Sequence, residues 1–385
     1  VPSMAAPVPA VAAPAPSCQQ RAAPPPAVDA SEDPAPGQRP PVPLTVPTPA
    51  IGGTRMAECG LVLPFGASQP PSNQFESWVL TDLDSGEVLA ARDPHARQRP
   101  ASLIKVLLAM VVLRTLKMDT VVVGTQQDAD QDGTKVGIEP GGRYTNDQLL
   151  HALLMHSGND AAHAFAMQLG GVDKAVAQMN TLARDAGALD TRAATPAGLD
   201  GPGMTSSAYD LALLFRLAMQ DKQFADTVCD RQIDFPGANA KPGFVVGNDN
   251  PLLYSYEGDL GGKTGYTDDA LHTYINAAQR GSRRIALVGM RGTMSPVTEM
   301  YVQAVPLMDY GFALARSGAQ PVGRLVDQDR TSVASTTAAP PAQPGTIAAE
   351  GEQTVGLLAV SGVLAALAVL VLVGYGVLRR RTRSG

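Results

Sequence analysis

Strand-like segments at the front and back of this chain enclose a long helical stretch, and that order limits the fold more than any other feature. Ser77–Leu83 and Glu87–Ala91 read as strands around an Asp84-Ser85-Gly86 turn. His272–Ala278 and Arg284–Met290 form a second strand pair around Gly281-Ser282. Between the pairs, Thr145-Asn146-Asp147-Gln148 caps a helix with Leu149, Leu150, Leu153 and Leu154 as its apolar stripe. Further helices are expected over Asp160–Leu169, over Val172–Ala186, and from Ser206 or Ser207 through Met219. Asp234–Leu260 reads as loop, and Pro296 to Ala315 as a closing helix. A sheet built from both ends of a domain, with helices inserted between, is an α+β architecture of antiparallel strands flanked by helices.

The helical stretch opens on Ala101-Ser102-Leu103-Ile104-Lys105, at the head of the apolar run Val106–Leu113. Residues three apart share a helix face, so Ser102 and Lys105 form a hydroxyl with its own base. Alone, the pair also fits an ordinary helix start with an exposed lysine. Its apolar surroundings favour the chemical reading, because burial penalises the charged amine and leaves it able to take a proton. Ser157-Gly158-Asn159 sits at a joint between two helices and reads alone as a cap and turn. Its functional reading is a second hydroxyl that relays a proton and an amide, Asn159, that orients a lysine and a substrate amide. Lys263-Thr264-Gly265 opens a strand after two glycines. It is either a glycine-rich hairpin entry or an edge that pairs with an extended substrate. In the second case Lys263 supplies charge, Thr264 a hydroxyl, and Gly265 room for close ligand approach. Each motif is weak. Their order, and their placement at element boundaries, make the set specific.

The ends differ from this middle. Residues 1–51 are rich in Pro and Ala and read as an extended arm that buries too little apolar surface to order itself. No basic n-region opens the chain, so any signal is expected upstream or already removed. The catalytic domain is expected over 52–326, with a Ser/Thr/Ala/Pro linker over 327–353. Residues 354–378 carry no charge and are long enough to span a bilayer as a transmembrane helix. Arg379, Arg380, Arg381 and Arg383 follow in a basic tail, 379–385, which orients the tail to the cytoplasm and the domain outside. A net charge of −6, without a basic stripe, argues against nucleic acid. The three cysteines, Cys18, Cys59 and Cys229, contain no CxxC. In an extracytoplasmic domain Cys18 and Cys59 can bridge; the alternative is three free thiols with Cys229 buried. His151, His156 and His163 lack the spacing of a metal site and read as packing and capping residues.

Pro100–Lys105, His156–Ala162 and Gly261–Thr267, with Asp82–Gly86, Ala194–Asp200 and Met308–Phe312, closely resemble the low-molecular-mass penicillin-binding proteins that are D-alanyl-D-alanine carboxypeptidases. Gly158 stands where β-lactamases of this fold carry Asp, which favours the carboxypeptidase branch. The resemblance covers about residues 55–325 and implies the serine β-lactamase/DD-peptidase-like fold. It further implies a peptidoglycan stem peptide as substrate, β-lactam inhibitors, and no metal or cofactor. Ser102 would be the nucleophile, Lys105 the base, and the backbone N–H groups of Ser102 and Tyr266 the oxyanion hole. Lys263 and Thr264 would meet the substrate carboxylate, with Arg291 as a further candidate. A β-lactamase needs a deacylating glutamate, and Glu257 is the only one between Asn159 and Lys263. A catalytically silent wall-binding module is the remaining alternative.

Overall fold

The computed structural model describes residue 18, residues 20–293 and residues 301–326. The front strands are β1 (Leu61–Val62), β2 (Phe75–Asp82) and β3 (Glu87–Arg92). The β2–β3 turn closes because Asp82 accepts the amides of Asp84 and Ser85 and Gly86 takes φ +75°. A 3₁₀ turn, Ala101–Ile104, then feeds α1 (Lys105–Thr115). The insert continues through β4 (Val121–Val123), α2 (Gln126–Ala129), β5 (Arg143–Thr145), α3 (Asn146–Met155), α4 (Asn159–Gln168) and α5 (Val172–Ala186). It ends with α6 (Ala208–Ala218) and α7 (Lys222–Cys229). Local signals set these boundaries: Thr145 and Gln148 form the expected capping box, and Ser207 caps α6.

Asp234–Leu260, expected as loop, instead holds the hairpin β6 (Gln232–Phe235) and β7 (Phe244–Gly247), then the short helix α8 (Leu252–Ser255). The hairpin is held by a distant partner, since Phe235 stacks on Tyr144 at 5.2 Å, and no local pattern announces that contact. The back strands are β8 (Asp259–Thr267), β9 (Leu271–Arg280) and β10 (Arg283–Gly292), followed by α9 (Ala304–Ser317) and β11 (Gly323–Arg324).

The main sheet runs β1-β3-β2-β10-β9-β8, with β11 on β3, and all pairs are antiparallel. Alternation along the strands gives it two buried faces. Val79, Ala91, Ile275, Ala277, Ala286 and Val288 face the inserted helices. Trp78, Leu80, Tyr274, Ile285 and Leu287 face α9 through Leu307, Met308 and Phe312. The first core buries α1 almost whole, so Lys105 has no solvent-facing side to escape to.

The arm departs from expectation. From Gln20 to Ile51 it lies along the domain. Buried Arg97 donates to the carbonyls of Ala22, Leu44 and Thr45, and a Cys18–Cys59 disulfide ties down its start. Apolar burial does not order this segment. Guanidinium hydrogen bonds and a covalent tie do, and its prolines have less backbone entropy to lose. Cys229, the free thiol, is exposed rather than buried. The linker 327–353, the expected span 354–378 and the tail 379–385 lie outside the described residues. Among the described residues no helix is long and apolar enough to cross a membrane.

Candidate active site

Ser102 lies in the 3₁₀ turn and Lys105, three residues on, is the first residue of α1, so i and i+3 come into line where the turn feeds the helix. Ala101 enters the turn at φ +48°, a left-handed conformation unusual for a residue with a Cβ. The loop carrying Gly198 packs against it. A Cβ on Gly198 would stand 2.1 Å from the Ala101 carbonyl oxygen. The same loop presents the Ala197 carbonyl to the lysine. Lys105 Nζ lies 2.8 Å from Ser102 Oγ, 2.8 Å from Asn159 Oδ1 and 2.6 Å from Ala197 O. As an ammonium it donates to all three. As an amine it donates to Asn159 and Ala197 and turns its lone pair on the Ser102 hydroxyl.

Burial pushes the Lys105 pKa well below that of a free lysine, and the nearby Lys263 charge pushes it further, against a smaller upward pull from Asp160. Asp160 does not pair with the lysine directly. Its carboxylate accepts the amides of Val136, Gly137, Ile138 and Ala161, which fixes the loop between α2 and β5. A Cβ on Gly158 would lie 2.7 Å from Asp160 Oδ1, so this carboxylate needs the small residue in the middle of the motif.

Ser157 sits at φ +61° between α3 and α4 and accepts from Lys263 Nζ at 3.0 Å. Lys263 also donates to its neighbour's carbonyl, Thr264 O, at 2.8 Å. Burial brings its pKa down to about 8, and Asp249 resists that shift. Asp249 lies 3.3 Å from His156 Nδ1, and that hydrogen bond raises the histidine's pKa.

β8 closes the site against the nucleophile turn. A Cβ on Gly265 would stand 2.9 Å from the Ser102 amide nitrogen and 2.5 Å from Thr273 Oγ1. The glycine therefore admits the chain's own Ser102 backbone, beyond any role toward a ligand. Thr273 in turn donates to the Pro100 carbonyl at 3.0 Å, tying β9 to the same turn. Two Ser–Lys pairs, an amide on one lysine and a glycine strand edge at the nucleophile thus meet at one site, with Ser102 partly accessible.

A family model for D-alanyl-D-alanine carboxypeptidases matches residues 65–293. The chain belongs to this family. It is 44% identical to D-alanyl-D-alanine carboxypeptidase DacB2 of Mycobacterium tuberculosis over 256 residues, which cover 66% of this chain and 87% of the relative. It is 34% identical to D-alanyl-D-alanine carboxypeptidase DacD of Salmonella typhimurium over 259 residues, 64% of each. The crystal structure of a D-alanyl-D-alanine carboxypeptidase from Mycobacterium tuberculosis superposes with a TM-score of 0.64 at 42% identity, covering 69% of this chain and 99% of that one.

Arg291 has partners of its own, away from both lysines. It sits at φ +53° in a bulge of β10, where three β10 steps oppose two on β9. Its guanidinium donates to Glu76 at 3.0 Å and to the Asp269 carbonyl at 2.8 Å. It braces the β8–β9 turn and is not among the partners of either lysine. Tyr266 has an exposed ring whose hydroxyl donates to Asp268. Thr264 has Tyr301 as a hydrogen-bonding neighbour. Sequence reasoning passed over Ala197, Asp160, Asp249, Thr273 and Tyr301. Ala197 acts through its carbonyl, which carries no side-chain signal. The histidines do not converge: His151 pairs with Asp230 and His163 with Asp128.

Proposed function

We propose that Ser102 is the nucleophile of a serine D-alanyl-D-alanine carboxypeptidase acting on peptidoglycan stem peptides. The observation that carries this is the fully buried Lys105 amine 2.8 Å from Ser102 Oγ. Lys105 takes the hydroxyl proton as Oγ attacks the carbonyl carbon of the penultimate D-alanine. The resulting oxyanion receives the N–H groups of Ser102 and Tyr266. Ser157 relays the proton that Lys105 took up to the departing D-alanine nitrogen, the C–N bond breaks, Lys105 returns to the neutral amine, and an ester on Ser102 remains. Water then cleaves that ester and restores the hydroxyl. Lys263 and Thr264 hold the substrate carboxylate, and Asn159 keeps Lys105 aimed at the serine. β-Lactams acylate the same oxygen.

The assignment is tested by fluorescent penicillin labelling together with D-alanine release from a pentapeptide. Ser102→Ala abolishes both; retention of either rejects Ser102. An unlabelled wild-type band would favour the silent wall-binding module. Rapid nitrocefin turnover would favour a β-lactamase. Against that reading, Glu257 is an exposed residue beside α8.

The domain is placed outside the cytoplasmic membrane and anchored by residues 354–378. Support comes from the uncharged length of that segment, the arginines after it, and a disulfide of the kind oxidising compartments maintain. Truncation after residue 353 should move the protein from the membrane fraction to the soluble one.

A further inference from the structure

The arm does more than coat the domain. After the Cys18–Cys59 tie it runs to the segment just before the Ser102 turn, and Val28–Glu32 settles on the β8–β9 turn. It then returns to Arg97 through Leu44 and Thr45. Two buried charged side chains meet it there. Arg99 precedes Ser102 by three residues, and Asp269 follows Tyr266 by three. Arg99 donates to Glu32 Oε1 at 2.5 Å, Glu32 Oε2 at 2.7 Å and the Pro25 carbonyl at 2.8 Å. Asp269 accepts the Val28 amide at 2.5 Å and the Ser31 hydroxyl at 3.5 Å. Arg99 Nε and Asp269 Oδ2 are themselves 3.9 Å apart. Among the described residues, every hydrogen bond to the Arg99 guanidinium and to the Asp269 carboxylate comes from the arm. Both side chains are only 2% exposed. That burial includes the arm itself, so losing the arm strips both groups of their hydrogen-bond partners and of their cover, and nothing then holds the two walls at their present separation.

We propose that the arm tip, Val28–Glu32, is a positioning element of the catalytic site. By clamping Arg99 and Asp269, it sets the gap between the Ser102 turn and the end of β8 that carries the Tyr266 N–H. Glu32 touches no substrate in this scheme. It acts through Arg99. The proposal rests on the oxyanion role given above to the Ser102 and Tyr266 amides. A shift of about 1 Å at such a site costs up to about a hundredfold in rate, so the clamp's effect should appear in the chemical step.

The test compares Glu32→Gln with the full-length wild type in D-alanine release from a pentapeptide. A second measurement is affinity for a peptide boronic acid, whose tetrahedral serine adduct fills the oxyanion hole. Glu32→Gln should lower kcat about tenfold with KM within about twofold, and weaken the boronic acid by about the same factor. Arg99→Lys, which keeps charge but loses the two-pronged contact, should follow it. If Glu32→Gln fails to fold, Glu32→Asp carries the same readouts with a smaller loss. Values of kcat and boronic acid affinity within twofold of wild type, whatever the thermal midpoint does, overturn the clamp. A wild-type chain that penicillin does not label overturns the catalytic reading itself and is seen before any variant is made.

Discussion

Ser102–Lys105 and Ser157–Lys263 are the same two side chains in two settings a few residues apart in space. Both lysines are buried to 1% exposure or less, and each amine faces a serine oxygen at 2.8–3.0 Å. Both feel one carboxylate, Asp160 for Lys105 and Asp249 for Lys263. The asymmetry is that Lys105 also feels the positive charge of Lys263. Once Lys105 is neutral it returns no such push, and Lys263 keeps its proton up to about pH 8. Burying two like charges side by side favours one neutral amine and one retained cation, which is the division of roles the proposed mechanism uses. In the proposed mechanism Lys105 takes up a proton while Lys263 keeps its own, and neither role is written in the residue type.

Breaking the comparison at its chemical end should give the largest effect. Lys105→Arg keeps a cation but installs one that does not deprotonate, and penicillin acylation measured by stopped flow should fall by about a thousandfold or more. A smaller loss would mean that Lys263 can serve as base. Gly265→Ala comes next. Its Cβ collides with the Ser102 amide and Thr273 Oγ1, so acylation should drop by about a hundredfold while the serine and both lysines remain in place. Wild-type activity would show that β8 relaxes away from the nucleophile turn.

The pH profile sharpens the comparison. Acylation should fall at low pH as Lys105 takes up a proton, and fall again above about pH 8 as Lys263 loses one. A plateau running through pH 10 would deny Lys263 its role as a fixed charge. The smallest effect is expected from Asp249→Asn. This removes the carboxylate that supports the Lys263 proton, so the alkaline limb should move to lower pH by roughly half a unit to one unit. A limb that stays put, or moves up, would show that Asp249 serves His156 alone.

Much of the fold was readable because the signals are local. Thr145 and Gln148 build a capping box within four residues, and Gly86 closes a hairpin. The two main strand pairs were legible at both ends of the domain, though not their order in the sheet. The β6–β7 hairpin was not readable, since its stability comes from Phe235 stacking on a tyrosine ninety residues away. Gly265 was legible as a residue needed for close approach, but the approaching group is the Ser102 backbone. The arm's course was hidden for a related reason. Composition reports how little apolar surface a segment can bury and says nothing of guanidinium groups elsewhere that wait for its carbonyls.

The sequence by itself determined the order of the elements, the three motifs and their placement at element boundaries. Periodicity, caps and turn residues act over a few neighbours. Only the tertiary structure decided how deeply each lysine is buried and which charges lie beside it, what faces Gly265, and that the arm reaches Arg99 and Asp269. Proton affinity and packing depend on burial and on charges brought together across long stretches of chain, and those distances exist only after folding.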